Sequence, residues 1–342
     1  MAVKAPLLAL SLLLLASPAR VAAPADRLDP FFAEGQGDTR AVLLLKNGQV
    51  VAKRYAPGYS DKNRFISWSM AKTVTGLLVG ELVADGRLQL DGPAPVVEWQ
   101  GANDPRRAIT LRHLLTMHAG LRHVEVGEPV ENSDTNQAEF VTGTAAMAAY
   151  GIAQPLEAKP GAKFEYSTLT SIILSEIVTR TLTASRDPRV RANAYRAFAE
   201  ERLFRPAGIG SAMLDFDGSG TQVGGSLIYM SLDDWGRLGN LLIDGRSAAG
   251  VQVIAPDWLR FMRTPSATSA RYGGQLWLNR RDAEGVMFPG APADVFSAEG
   301  HLGQHVTVSP SQRAVLVRLG NTPDSEGKAV NAAIARTLVA LR

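Results

Sequence analysis

The period of the hydrophobic positions differs between the ends of this chain and its middle. Arg40-Ala-Val-Leu-Leu-Leu-Lys46 and Gln49-Val-Val-Ala-Lys-Arg-Tyr55 are β-rich runs on either side of Asn47-Gly48, a strong two-residue hairpin signal. Thr73-Val-Thr-Gly-Leu-Leu-Val-Gly-Glu-Leu-Val83 continues a helical apolar pattern entered at Ser69, and Gly86 ends it after about Asp85. The stretch to about residue 230 reads as helical and loop-rich. Its helices are Ile109 to His118, Thr170 to Arg180 and Ala194 to Phe204; Ser231 to Leu242 follows, with a serine cap and an acidic first turn. β patterning returns in Gly274 to Asn279, in His305 to Val308 as an edge strand, and in Arg313 to Leu319; Val330 to Leu341 is a closing helix. Strands at both ends with helices between predict an α+β fold. Its antiparallel sheet draws on about 38–90 and 225–342, with an all-helical insertion over about 91–224.

The N-terminus breaks this pattern. Lys4 precedes the apolar run Leu7-Leu-Ala-Leu-Ser-Leu-Leu-Leu-Leu-Ala16, and Ala23-Pro-Ala25 offers small residues for cleavage. The run is about half of the ~20 residues a membrane span needs. Residues 1–25 are therefore expected to be a cleaved secretory signal. That leaves residues 26–342 as one domain, periplasmic or secreted in a bacterium, without a stable membrane anchor. Cleavage removes Lys4 and Arg20 and no acid, leaving 34 basic residues against 33 acidic. Neither that balance nor any basic cluster suggests a nucleic-acid partner. There is no cysteine, which excludes disulfides, a thiol nucleophile, Cys-based zinc sites and a lipidated N-terminal cysteine.

Candidate chemistry starts at Phe65-Ile-Ser-Trp-Ser-Met-Ala-Lys-Thr-Val-Thr-Gly76. Positions i and i+3 share a helix face, so the Lys72 amine can reach the Ser69 hydroxyl. A hydroxyl needs such a base, and a lysine serves only if burial or nearby cations lower its pKa. The Ser69 backbone N–H at the helix start can also help hold an oxyanion. Taken alone, Ser69 suits a helix cap equally well. The second Ser-x-x-Lys, Ser325 to Lys328, reads as the polar start of the closing helix. Tyr166, in Pro160-Gly-Ala-Lys-Phe-Glu-Tyr-Ser-Thr168, stands at a loop–helix junction; it relays a proton if cations such as Lys72 lower its pKa, and is otherwise a core tyrosine beside a capping Ser167 or Thr168. In Ser297-Ala-Glu-Gly-His-Leu-Gly-Gln-His305, Gly303 would let a substrate approach the backbone and Gln304 could point its N–H into a site. His301 and His305 alone are a poor metal motif, and His113, His118 and His123 read as helix-surface or loop residues. No G-x-S-x-G, H-E-x-x-H or P-loop is present.

Ser69-Met-Ala-Lys72, Tyr166-Ser-Thr168 and His301-Leu-Gly303 resemble, in order, the S-x-x-K, Y-x-N and K-T-G (or H-x-G) motifs of the penicillin-recognising serine hydrolases. Thr110 to Leu121, Pro160 to Ser167 and Gly224 to Gly239 also look like that family, so the resemblance spans about residues 40 to 340. The most similar branches are the 6-aminohexanoate-dimer hydrolases, the β-lactamase-like carboxylesterases and the class C β-lactamases. The resemblance implies a β-lactamase/transpeptidase-like fold, with an antiparallel sheet flanked by helices, an all-helical subdomain and the cleft between them. It implies acylation of Ser69, proton transfer shared by Lys72 and Tyr166, and an oxyanion hole from the backbone N–H groups of Ser69 and Gln304. Thr168, His301 and Gly303 would contact a small-molecule ester or amide, with no cofactor and no metal. Thr168 and His301 replace the family's asparagine and lysine, which lowers the expectation of efficient β-lactam hydrolysis. A β-lactamase or D-alanyl-D-alanine carboxypeptidase and a catalytically silent binding homologue are the alternatives.

Overall fold

The computed structural model describes residues 27–341 apart from 36 and 284, so the expected signal segment lies outside the described residues. Six strands form one antiparallel sheet. They are β1 (Asp38–Lys46), β2 (Gln49–Tyr55), β6 (Trp277–Leu278), β7 (Phe296–Gly300), β8 (Gln304–Ser309) and β9 (Ala314–Asn321), in the order β2-β1-β9-β8-β7-β6. A small second sheet, in the order β3-β5-β4, joins β3 (Phe65–Ile66) and β5 (Ile228–Met230) to β4 (Met213–Leu214). The N-terminal hairpin turns at Asn47 and Gly48, both in left-handed backbone at φ 52° and 74°. The last strand, β9, pairs with the first, β1, so the two ends of the chain share one sheet.

The β1 run is hydrophobic without alternation because helices cover both of its faces. Leu43 and Leu45 join the larger core with α4 (Leu232–Asp244), while Val42 and Leu44 join the core formed with α5 (Gly327–Val339). Each such buried leucine contributes about 1.5–3 kcal/mol relative to exposure. Between the halves of the sheet lie α1 (Ala71–Ala84), α2 (Thr168–Leu182) and α3 (Pro188–Ala199), with shorter turns and loops. No described helix is long and apolar enough to cross a membrane.

Several elements differ from their sequence reading. Phe296–Gly300 is a strand that pattern did not reveal, because Ser297-Ala-Glu-Gly is small and polar; pairing on both sides fixes it instead. β8 therefore lies between β7 and β9 and is no edge. The Ile109–His118 helix contracts to Leu111–Leu115 under a Thr110–His113 capping box. His118 and His123 are buried rather than on a surface: His118 bonds the Thr116 carbonyl and Thr268, and His123 bonds Glu125.

Candidate active site

The Ser69 segment is fixed before α1 begins. Ser67 Oγ donates to the Ser226 carbonyl at 2.8 Å and accepts from the Ile228 N–H at 3.0 Å, tying the strand end to the far side of the helical region. Trp68 then adopts φ +42°, an uncommon conformation for a bulky side chain, and Trp68–Met70 form one 3₁₀ turn leading into α1. Ser69 stands in that turn at the border of a cavity. Lys72, one turn on, is buried, and its Nζ lies 2.8 Å from Ser69 Oγ, Thr168 Oγ1 and the Gly225 carbonyl alike. Gly225 is required for this approach: a Cβ there would come within 2.6 Å of Thr168 Cγ2.

Burial lowers the Lys72 pKa to about 8, against the pull of the Glu125 and Glu139 carboxyls. Glu125 is the partner that keeps the amine in place. Its Oε1 accepts from Thr168 Oγ1 at 2.6 Å, and its Oε2 accepts from the Thr168 N–H at 2.8 Å and contacts His123 Nε2 at 2.6 Å. Burial alone would raise this carboxyl, but the His123 bond, the Lys72 charge and the Thr168 hydroxyl bring it down to about 2. Thr168 thus bridges Lys72 and Glu125, its hydroxyl engaged in both directions. It is almost fully buried and lines the cavity.

Tyr166 lies just before the Ser167 cap of α2, where Ser167 Oγ accepts from the Thr170 N–H at 3.1 Å. Its ring stacks on Trp277 (5.2 Å between centroids) and meets Tyr272 edge-on. Lys72 Nζ sits 4.9 Å from the centre of that ring. The tyrosine's pKa is raised, not lowered as the cation argument expects. Burial is the main cause and the Glu125 charge adds to it, against a hydrogen bond with Ser69. Tyr166 is therefore a neutral phenol at the edge of the site.

The cavity has a volume of about 290 Å³ and is lined by Ser69, Glu125, Thr168, Ser226 and Glu139 at its polar part, and by Trp68 and His301 beside the nucleophile. Val126, Val130 and Phe140 complete it with apolar surface that is more than half exposed, at 81%, 56% and 53%. Glu139 comes from a π-helical turn, Gln137–Val141. Burial raises its carboxyl to about 7, against a Ser226 hydrogen bond and the Lys72 charge, and its Oε1 has no hydrogen-bond partner among the described residues.

Neither Gln304 nor Gly303 lines this cavity. Gln304 opens β8 opposite Gly300, and its side-chain amide donates to the carbonyls of His301, Leu302 and Gly320. Its side chain also lines a separate hollow with Arg40 and Tyr59, while His301 lines the cavity beside Ser69. Gly303 leaves room for a protein neighbour: a Cβ there would come within 2.7 Å of Arg318 Nη1. Conversely, Glu125, Glu139 and Ser226 escaped the sequence reading because no spacing links them to Ser69. The one local signal was a glutamate between apolar neighbours in Ala138-Glu-Phe140, which places an acid on a half-buried helical face. Ser325 sits in the 3₁₀ turn that opens α5, and no group of three or more described His, Asp or Glu side chains could hold a metal ion.

The beta-lactamase family profile matches residues 25–341. The 6-aminohexanoate-dimer hydrolase of Paenarthrobacter ureafaciens is 25% identical over 309 residues, which is 84% of this chain and 74% of that protein. Among solved structures, a penicillin-binding protein homologue from Caulobacter crescentus superposes with a TM-score of 0.67 at 18% identity, covering 94% of this chain and 98% of that one. A family VIII carboxylesterase gives 0.67 at 17% identity, covering 92% and 97%.

Proposed function

The chain belongs to the beta-lactamase family, and from that premise we propose that it is an exported serine hydrolase that cleaves a carboxylic ester or a linear amide through an acyl-enzyme on Ser69. The observation that carries this reading is the 2.8 Å contact between Ser69 Oγ and a buried Lys72 whose pKa has fallen to about 8. In its neutral form Lys72 takes the hydroxyl proton as Oγ attacks the substrate carbonyl. The Ser69 N–H supports the tetrahedral oxyanion, a donor of a kind worth about 10²–10³-fold in rate. As the intermediate collapses, the proton passes to the departing alcohol or amine, from Lys72 or by way of the Tyr166 phenol. Water then attacks the acyl-Ser69 ester, gives up a proton to Lys72, and releases the acid and the serine.

The substrate side follows from the cavity. Val126, Val130 and Phe140 favour an apolar group, and the unpartnered Glu139 oxygen offers a polar contact at the inner end. His301 lines the cavity beside Ser69 where the K-T-G motif has a lysine, so the ammonium that would meet a substrate carboxylate is not there. That favours neutral esters or linear amides over carboxylate-bearing β-lactams. A silent binding homologue would have no use for a lysine buried against its serine. Residues 1–25 would direct export and be removed.

Incubation with a fluorophosphonate and mapping of the adduct by mass spectrometry tests the reading. Ser69 is expected to carry the label; labelling at Ser325, or none in folded protein, overturns it. Nitrocefin turnover above that of p-nitrophenyl esters or linear 6-aminohexanoate dimer would favour a β-lactamase instead.

A further inference from the structure

The turn that carries His301 is held from behind by two buried side chains. Between β7 and β8, Leu302 and Gly303 both take left-handed backbone, with φ of 60° and 77°. Glycine adopts that conformation readily; for leucine it is strained and persists only where the surroundings fix it. Gln304 Nε2 donates to the carbonyls of His301 and Leu302, each at 3.1 Å, and of Gly320 at 2.7 Å. Arg318 Nη1 donates to the Gly303 carbonyl at 2.8 Å and lies 3.4 Å from that of Leu302. Three successive carbonyls of the turn are thereby bound to buried donors.

Arg318 is fully buried in β9, and among the described residues no carboxylate hydrogen-bonds to it. The rest of its guanidinium is held by Thr39 Oγ1, at 3.0 and 2.8 Å, and by Thr322 Oγ1. Burial lowers its pKa to about 10, which leaves it a cation at neutral pH. Two glycines make its space, since a Cβ at Gly303 or Gly320 would come within 2.7 Å of Nη1. The Asp38 charge offsets that burial only in part and no described carboxylate bonds the guanidinium, so an apolar side chain would fill this strand position at lower cost. What the cation holds borders the nucleophile. The His301 ring meets Trp68 edge-on at 5.5 Å, and Gly300 packs so tightly on the Ser67 carbonyl that a Cβ there would overlap it.

We infer that Arg318 and Gln304 clamp the His301–Gly303 turn in its left-handed form, and that Arg318 is a positioning residue for acylation of Ser69. The inference rests on the hydrolase reading above. Relaxation of Leu302 out of that form would shift the Gly300–His301 wall relative to the nucleophile, and misplacement by about 1 Å can cost about 10²-fold in rate.

Arg318→Met, which keeps the volume and removes charge and donors, is the test. The readouts are the rate of Ser69 phosphonylation, kcat and KM on a neutral ester, and amide hydrogen exchange across residues 299–304. Phosphonylation and kcat are expected to fall about tenfold or more with KM little changed, and exchange in the turn to quicken. Adding Leu302→Gly, which enters left-handed backbone without strain, should restore rate and exchange to within about threefold of the unmodified chain. A folded Arg318→Met that acylates at the unmodified rate overturns the clamp, and so does a defect that Leu302→Gly leaves untouched. If Arg318→Met does not fold, Gln304→Leu takes its place with the same rescue, and an unmodified acylation rate or a failed rescue overturns the clamp there too. An unmodified chain that resists phosphonylation defeats the hydrolase reading alone; the exchange measurement still judges the clamp.

Discussion

Lys72 Nζ has three partners at 2.8 Å on the Ser69 side of the cavity, whereas the wall supplied by residues 126–141 leaves a Glu139 oxygen without a partner and three apolar side chains more than half exposed. On the first side each group specifies its neighbour. Glu125 fixes Thr168, Thr168 fixes Lys72, and Lys72 fixes Ser69. On the second side Glu139 is bonded by Ser226, but its other oxygen has no partner among the described residues. The difference separates the part that must be pre-organised for proton transfer from the part left for a substrate to fill. A buried amine poised near neutrality tolerates little movement, since burial and Glu125 act on its pKa in opposite directions.

Substitutions on the first wall should have the largest effects. Lys72→Met removes the base, and kcat on a neutral ester is expected to fall about 10²–10⁴-fold. Tyr166→Phe should cost less than Lys72→Met, because Tyr166 is a neutral donor and not the base. Measured together, the double variant should lose little beyond Lys72→Met, as residues of one proton path are non-additive. Simple multiplication of the two effects would separate their roles.

The pH profile probes the same wall more gently. Lys72 must be neutral to accept the serine proton, so acylation should rise as pH increases through about 8. The Glu125 carboxylate raises the Lys72 pKa, so Glu125→Gln should move that midpoint to lower pH. A profile that shifts upward in the variant would contradict the assignment of charges.

His301→Lys tests the border between the walls. A fixed cation beside Ser69 should lower KM for nitrocefin more than for a neutral ester, by roughly tenfold if one charge-assisted hydrogen bond forms. Equal changes for both substrates would mean that His301 does not meet the carboxylate.

The smallest effect is expected on the open wall. Phe140→Ala should change stability by no more than about 0.5 kcal/mol, because the side chain is largely exposed. It should raise KM a few-fold for esters with a long apolar acyl group, about 1 kcal/mol of lost contact, and leave acetate esters unaffected. A uniform loss across chain lengths would place Phe140 outside the substrate's path.

Local rules determined a good deal of this protein from sequence alone. Asn47-Gly48 set the hairpin, Ser231 and Gly245 bounded α4, and the i, i+3 spacing put Lys72 beside Ser69, because each depends on only a few neighbouring residues. Tertiary structure decided what lies far apart in the chain. Glu125 reaches Lys72 from a loop and Glu139 from a short π-helical turn, neither tied to Ser69 by any spacing, and the small, polar Ser297–Gly300 run became a strand only by pairing with its neighbours. The sequence left the sign of the Tyr166 shift open, since burial, its main cause, and the placing of the Glu125 charge are settled only by the fold. Gly303 and Gln304 show the same limit. Both residues were visible in the sequence, but only the tertiary structure showed the buried guanidinium of Arg318 packed against Gly303 and the Gln304 side chain bonded to the carbonyls of His301, Leu302 and Gly320.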